Sequence, residues 1–274
     1  MPRSDTPHDW LRPRWPAPPG VQALCTTRAG GASSGRHASL NLGAHVGDDP
    51  GHVASNRVYL SEAIGADPVF LRQVHGTEVL DLDDLASYSS GEPTADACIA
   101  SRLGLACTVM VADCLPVLLC TADGARVGAV HAGWRGLAAG VIEAAIARIR
   151  RAAADAGESA AAGTLHVWLG PCIGPGEFEV GPEVKAAFES AAPSAARCFR
   201  PAAEAAAEPG PDDRPKWLAD LPALARQRLA ALGEHSVHGN DGSDAWCTVR
   251  QPSRFFSHRR DGVTGRFAAS VWRT

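Results

Sequence analysis

Three segments of the sequence place cysteine or histidine beside glycine or polar residues, where a side chain can face a cleft. They are Gln73-Val74-His75-Gly76, Ala112-Asp113-Cys114-Leu115-Pro116 and His131-Ala132-Gly133-Trp134-Arg135-Gly136. Two imidazoles and one thiolate, with a fourth position left open, are the ligand set that a catalytic zinc ion needs. His75, Cys114 and His131 lie far apart in sequence, unlike the close ligand pairs of zinc fingers, so a structural zinc site is not indicated.

The same residues permit a second chemistry, in which the cysteine is a nucleophile instead of a ligand. Cys114 as a thiolate, His131 as a base and Asp113 nearby would form the site of a cysteine hydrolase. Spacing in the sequence does not separate these two interpretations, so both stay open at this stage.

The third segment also predicts an anion site. It runs from an apolar strand through Gly133 into a predicted helix, and a helix N-terminus presents unpaired N–H groups to an anion. Arg135 adds a planar guanidinium group that suits phosphate or carboxylate.

Two further segments are candidates for a pocket wall. Cys172 lies in the turn Gly170-Pro171-Cys172-Ile173-Gly174-Pro175-Gly176, where it either lines the pocket or packs in the core. Phe255 and Phe256 precede a basic run and Thr264-Gly265-Arg266, which is either a solvated surface or a second wall.

The elements that must position these residues are mixed along the chain. Apolar runs and alternation predict strands at 21–27, 69–80, 105–120 (two runs around Asp113), 125–133, 164–170 and 265–273. Helical spacing and glycine stops predict helices at 52–65, 137–157, 180–192 and 217–233. Polar segments predict loops at 28–51, 83–94 and 201–215, and the length of the first suggests a functional role. These elements predict an α+β (mixed α/β) fold with mixed β-sheets flanked by helices, as one catalytic domain over 20–274 after a flexible lead-in over 1–19.

Composition excludes several classes of protein. The 274 residues are 45% hydrophobic with a net charge of -4, so there is no basic surplus for binding nucleic acid. No apolar run is long enough for a membrane helix or a signal peptide, so we expect a cytoplasmic protein with reduced thiols. Apart from Cys114 and Cys172, the cysteines are expected to be packing residues: Cys25, Cys98, Cys107, Cys120, Cys198 and Cys247.

Taken together, eight segments resemble the laccase-domain, or YfiH-like, family over roughly residues 20–272. They are RAGGASSG, SLNLGAHVGDDP, NR at 56–57, QVHGTEV, ADCLPVLL, GAVHAGWRGLAAGV, LGPCIGPGEFEVG and FFSHRRDGVTGR. The resemblance implies that His75, Cys114 and His131 hold a zinc ion, with copper as an alternative. It also implies phosphorolysis of adenosine, inosine, guanosine and methylthioadenosine, and deamination of adenosine, in a monomer or homodimer. The sequence departs from the pattern at His258, where tyrosine is common, and at Val249 in the Cys-Thr-Val segment.

We expect substrate contacts from six residues: Arg28, Asn41, Arg135, Cys172, Phe255 and Phe256. The arginines would bind phosphate, and the two phenylalanines would form an apolar wall for the purine base. Two other activities remain open, a cysteine- or zinc-dependent hydrolase editing nucleotide-linked peptidoglycan precursors and a copper-dependent polyphenol oxidase. A metal-holding partner protein without catalytic activity is a third alternative.

Overall fold

The computed structural model describes residues 9–87, 91–158, 163–202 and 215–274. The strands in these ranges are β1 (Val21–Cys25), β2 (Asp67–Val69), β3 (Val79–Asp81), β4 (Ala97–Ala100), β5 (Leu105–Val111), β6 (Leu115–Thr121), β7 (Val127–Ala132), β8 (Leu165–Leu169), β9 (Glu179–Val180), β10 (Phe199–Pro201), β11 (Trp217–Ala219), β12 (Val237–Gly239) and β13 (Phe267–Arg273). The helices are α1 (Pro50–Ile64), α2 (Trp134–Ala139), α3 (Val141–Asp155), α4 (Pro182–Ala191), α5 (Leu221–Ala231) and α6 (His258–Asp261).

Two mixed sheets form the centre of the molecule, in a single mixed α/β domain as the sequence predicts. One sheet has six strands in the order β12-β8-β6-β7-β4-β3, and the other has four in the order β1-β13-β5-β2. Strands β3 and β4, β8 and β12, and β2 and β5 pair in parallel, while the other neighbours in these two sheets are antiparallel. A small third sheet has the order β10-β11-β9.

Three apolar layers hold these elements together. The middle layer lies between the two large sheets and includes Leu118, Val109 and Val271. Helices α3 and α5 pack on the outer face of the six-stranded sheet, while Leu60 of α1 packs on the outer face of the four-stranded sheet. Helices therefore cover the outer face of each large sheet.

Alternation along β6 and β7 places the two central candidate residues. In β7, Val127 and Ala129 face the middle layer, so His131 lies on that same face. Cys114 packs against the same layer just before β6 begins. The two strands pair antiparallel with Pro116 opposite His131, which brings Cys114 and His131 to one end of the middle layer.

The structure corrects the predicted boundaries at several places. The strand predicted at 69–80 is mostly a loop, since only its two ends belong to strands, β2 and β3, and these join different sheets. The helix predicted at 137–157 is α2 followed by α3, because Gly140 between them has a φ of 96°. The first three residues of the helix predicted at 217–233 form β11 instead, and the helix itself, α5, covers only Leu221–Ala231.

The predicted lead-in and two of the predicted loops lie only partly within the described residues. Residues 9–19 are not loose, because Leu11 and Cys25 exchange two backbone hydrogen bonds of 2.9 and 2.8 Å and Trp15 packs on the middle layer. Residues 1–8 lie outside the described residues, as do 88–90 of the loop predicted at 83–94 and 203–214 of the loop predicted at 201–215. No helix in the described ranges is both long and apolar enough to cross a bilayer.

The cysteines are all free thiols. Cys25, Cys98, Cys107, Cys120 and Cys247 are buried, which agrees with the prediction that they pack in the core, and Cys198 is half-buried.

Candidate metal centre

The structure brings His75, Cys114 and His131 together. One ligand atom from each residue lies within 4.8 Å of the other two, so the group could hold a metal ion. The thiol of Cys114 is 3.6 Å from Nε2 of His75, and the two imidazole rings meet edge to face with centroids 4.8 Å apart.

Asp96, which directly precedes β4, fixes both histidines. Its fully buried carboxylate accepts hydrogen bonds from the backbone N–H groups of Val74 (3.1 Å), His75 (2.8 Å) and Gly76 (2.7 Å). The same carboxylate pairs with Nδ1 of His131 at 2.8 Å. This contact orients the imidazole and leaves Nε2 of His131 as the nitrogen available to a metal.

The loop bearing His75 needs this support because His75 has a φ of 62°, in the left-handed region that a histidine seldom adopts. Burial alone would raise the pKa of Asp96, but its hydrogen bonds with His131, Gly76 and Val74 outweigh burial and lower it. Asp96 is therefore a stable carboxylate that holds the loop and the ring together.

Gly133 provides the space in which the group meets. A Cβ atom at this position would lie 2.5 Å from Cδ2 of His75 and 3.0 Å from the sulfur of Cys114. Real Cβ atoms almost never approach other atoms this closely, so a larger residue would displace His75 or Cys114. The glycine after β7 is thus required by the convergence of these side chains.

Protonation states at the group favour a thiolate. Burial opposes ionisation of Cys114, but His131 and His75 outweigh it and lower the pKa of the thiol to about 6. Burial also opposes a charged His131, but Cys114 and Asp96 outweigh it and raise the pKa of that imidazole to about 9. A divalent cation would take the place of the proton on His131, because metal binding requires the neutral imidazole.

These observations fit a zinc ion. The donors are two nitrogens and one sulfur, one histidine has a carboxylate partner, and three protein ligands leave a position open. They fit less well with several copper ions, since centres of that kind need more donors than the three that converge in the described part of the chain.

A cavity of about 420 Å³ opens beside the group, within the size range of small-molecule sites. Trp134, Ile173 and Phe178 supply apolar surface. Three arginines and two further histidines also line it: Arg135, Arg259, Arg266, His45 and His258.

Asp113, which lines the cavity, anchors the segment that carries Arg259. Its φ is 96°, and its carboxylate accepts hydrogen bonds from Oγ1 of Thr248 at 2.5 Å and from the backbone N–H of Arg259 at 2.6 Å. The residue before Cys114 therefore ties the C-terminal segment to the site.

Of the six predicted substrate residues, Arg135 lines the cavity and the other five do not. Arg135 lines the cavity with its guanidinium 4.4 Å from the ring centre of Trp134, although α2, in whose first turn it lies, has only six residues, much shorter than predicted. Cys172 is fully buried, and burial raises its pKa well above the ordinary value, so it packs and does not face the cavity.

The other four predicted residues also lie away from the cavity surface. Phe255 and Phe256 are fully buried in the middle layer, so neither ring is available to stack on a base. Arg28 donates to the carbonyl oxygens of Ala38 and Pro252 and stacks on Phe256. Asn41 is fully buried and organises a loop through hydrogen bonds described below.

Sequence reasoning missed Asp96, His45 and Arg259 as individual site residues. Asp96 had a signal, because it is a charged residue directly before the apolar strand β4. His45 and Arg259 belong to segments that the sequence flagged as functional loop or pocket wall, but nothing in either segment singled them out.

Comparison with known proteins agrees with this fold and shows the family of the chain. Residues 22–274 match the family described as multi-copper polyphenol oxidoreductase laccase, and the chain belongs to that family. It is 46% identical over 96% of its length to a protein of Pseudomonas aeruginosa named purine nucleoside phosphorylase, of which 98% is covered. It is 44% identical over 95% of its length to purine nucleoside phosphorylase YfiH of Escherichia coli, of which 97% is covered.

Solved structures show the same architecture. The crystal structure of the Neisseria meningitidis protein NMB0706 superposes with a TM-score of 0.82 at 42% identity, covering 97% of this chain and 99% of that one. YlmD from Geobacillus stearothermophilus superposes with a TM-score of 0.75 at 29% identity, covering 99% and 98%.

Proposed function

We propose that this protein is a zinc-dependent purine nucleoside phosphorylase that also deaminates adenosine. The observation that carries the proposal is one cavity with a His-Cys-His group at one end and three arginines around it. The names of the relatives in Pseudomonas aeruginosa and Escherichia coli support the phosphorylase activity. The proposed substrates are adenosine, inosine, guanosine and methylthioadenosine.

In phosphorolysis, a phosphate oxygen forms a bond to C1′ of the ribose while the bond from C1′ to the purine nitrogen breaks. The purine leaves with the electron pair of that bond and takes up one proton, giving ribose 1-phosphate and the free base. Trp134 and Phe178 offer faces for the base, and the arginines neutralise the phosphate charge.

In deamination, water replaces the amino group at an adenine ring carbon and ammonia leaves. When bound by His75, Cys114 and His131, zinc supplies Lewis acidity and lowers the pKa of a coordinated water molecule. Asp96 holds His131 in the orientation that leaves Nε2 free, and the side chains of Ile173 and Phe178 give the cavity apolar surface.

Product analysis tests the proposal. The protein, with its metal content measured, is incubated with adenosine in the presence and absence of inorganic phosphate, and adenine, inosine, hypoxanthine and ribose 1-phosphate are followed. We expect adenine only with phosphate and inosine under both conditions. The absence of every product from zinc-loaded protein would overturn the proposal, and Cys114→Ser serves as the inactive control.

A second candidate is a hydrolase in which Cys114 is the nucleophile, acting on nucleotide-linked peptidoglycan precursors. It is favoured by the contact between the Cys114 thiol and Nε2 of His75, since an adjacent base activates a thiol. Activity that survives chelation but is lost in Cys114→Ala would favour this candidate over the zinc enzyme.

The family description favours a third activity, copper-dependent oxidation of phenols. The test is oxidation of a phenolic dye by copper-loaded protein, with zinc-loaded protein as the control. Equal rates with both metals would exclude it.

A further inference from the structure

We propose that Arg266 forms the phosphate-binding subsite of the cavity and that Asn41 and Gly43 position it. This inference rests on the proposed phosphorylase function and assigns the residue that would hold inorganic phosphate during the reaction.

Arg266 combines charge, partial burial and unused donors. Its side chain lines the cavity close enough to Cys114 and Asp113 to interact with their charges. Nη1 donates to the carbonyl oxygens of Thr264 (3.0 Å) and Gly265 (3.1 Å), which fixes the plane of the guanidinium. Nε and Nη2 have no hydrogen-bond partner among the described residues, so a planar pair of donors remains for an oxyanion.

The loop after β1 positions this arginine. Oδ1 of Asn41 accepts hydrogen bonds from the backbone N–H groups of Arg266 (2.8 Å) and Gly43 (3.0 Å). Nδ2 of Asn41 donates to Asp48 at 2.8 Å, and the backbone carbonyl of Asn41 accepts from Asn56 at 2.8 Å. A fully buried amide thus joins the start of β13 to the loop.

Gly43 makes room for the arginine stem. A Cβ atom at Gly43 would lie 2.8 Å from Cγ and 3.2 Å from Cβ of Arg266, so any other residue would push the stem aside. His45, two positions further on the same loop, also lines the cavity. The loop therefore supplies both the space for Arg266 and a second polar side chain.

The other arginines are less suited to bind phosphate. Arg259 donates from Nη1 to the carbonyl of Glu177 (3.1 Å) and from Nη2 to that of Glu179 (3.0 Å), so both terminal nitrogens are engaged. Arg135 is exposed and lies over Trp134. Arg28 is outside the cavity lining and donates to two carbonyl groups.

The ligand chemistry is a phosphate dianion, and we assign inorganic phosphate rather than the 5′-phosphate of a nucleotide. Wild type, Arg266→Gln and Arg28→Gln are compared by calorimetric titration with inorganic phosphate and separately with AMP. Thermal unfolding of each variant reports whether it is folded, and the Michaelis constants for phosphate and adenosine are measured where turnover occurs.

We expect Arg266→Gln to weaken phosphate binding by at least about tenfold, because a charge-assisted hydrogen-bonded pair is lost. The Michaelis constant for adenosine should change less than about threefold, since the base and ribose contacts remain. Arg28→Gln should bind phosphate as the wild type does.

Three results would overturn the inference: equal phosphate affinity in Arg266→Gln and wild type, an equal loss in Arg28→Gln, or Arg266-dependent binding of AMP without binding of inorganic phosphate. Should Arg266→Gln unfold, Arg266→Lys replaces it, and an unchanged phosphate affinity there would likewise count against a planar guanidinium site. Phosphate binding through Arg266 without any phosphorolysis would support the subsite and contradict the proposed function, so the two can fail separately.

Discussion

Two parts of the cavity are built in different ways: the metal end, where the His-Cys-His group lies, and the arginine wall, formed by Arg259 and Arg266. At the metal end, the buried carboxylate of Asp96 is hydrogen-bonded to both the His75 loop and the His131 ring. On the wall, Arg259 and Arg266 are held mainly through backbone carbonyl groups. The metal end therefore depends on the charge of one residue that is not a ligand, whereas the guanidinium groups of the wall are oriented by neutral backbone carbonyl groups.

Each region also contains a carboxylate that binds backbone N–H groups of a distant segment. Asp96 accepts from the loop that carries a candidate ligand, and Asp113 accepts from the segment that carries Arg259. The two regions differ in the property that a substitution should change. A substitution at the metal end should change the affinity for the metal, and one in the arginine wall should change the affinity for phosphate.

Removal of a ligand should have the largest effect. We expect Cys114→Ala to weaken zinc binding by about a thousandfold, because one of three protein donors and its negative charge are lost. Competition with a chromophoric chelator measures the affinity. Cys198→Ala, a half-buried thiol outside the site, is the matched control, and an equal loss there would refute the assignment.

Loss of the Asp96 charge should have the next largest effect. Asp96→Asn preserves the shape of the side chain but weakens the hold on His131 and the His75 loop, so zinc affinity should fall about 10–100-fold. Asp155→Asn, at an exposed helical carboxylate, is the control. Unchanged zinc affinity in Asp96→Asn would show that the metal end does not depend on this residue.

The pH dependence of zinc affinity tests whether His131 is charged before the metal binds. His131 has a pKa raised to about 9, and Cys114 has one lowered to about 6. Between these values the thiolate is already formed while His131 must release one proton on binding, so affinity should rise about tenfold for each unit of pH. Above pH 9 the dependence should flatten, and a flat profile from pH 6 to 9 would contradict the charged state of His131.

The smallest effect on the site should follow from a change in the buried aromatic pair. Phe255→Leu removes volume from the middle layer, so the free energy of unfolding should fall by about 1–2 kcal/mol. Zinc affinity and the Michaelis constant for adenosine should stay at the wild-type values, because the ring does not line the cavity. A raised Michaelis constant with unchanged stability would restore Phe255 as a substrate contact.

Much of the central fold could be predicted from the sequence, because apolar runs and alternation locate the strands of five or more residues in the described ranges, whereas most of the shorter strands have no such signal. The residue pattern also located His75, Cys114 and His131, although their proximity depends on the pairing of β6 with β7 and on the hydrogen bonds of Asp96, which no local pattern specifies. The split of the helix at Gly140 had a visible signal, since glycine inside a helix is unfavourable and tolerates positive φ.

Other parts could not be predicted because they depend on tertiary contacts. Phe255 and Phe256 look alike in sequence whether they line a pocket or fill a core, and only the packing between the sheets decides. The role of Asn41 depends on Arg266, which follows it by 225 positions in the chain. Buried polar partners of this kind are set by the assembled fold.

The placement of β13 has a consequence for how the chain folds. This strand pairs with β1 on one side and β5 on the other, so the last strand described in the chain is an interior strand of its sheet. During synthesis, β1 and β5 emerge long before the strand that separates them, and contacts between distant segments slow folding. Arg266 directly precedes this strand and is synthesised after the segments carrying His75, Cys114 and His131, so its place beside the cavity depends on the insertion of β13 between β1 and β5.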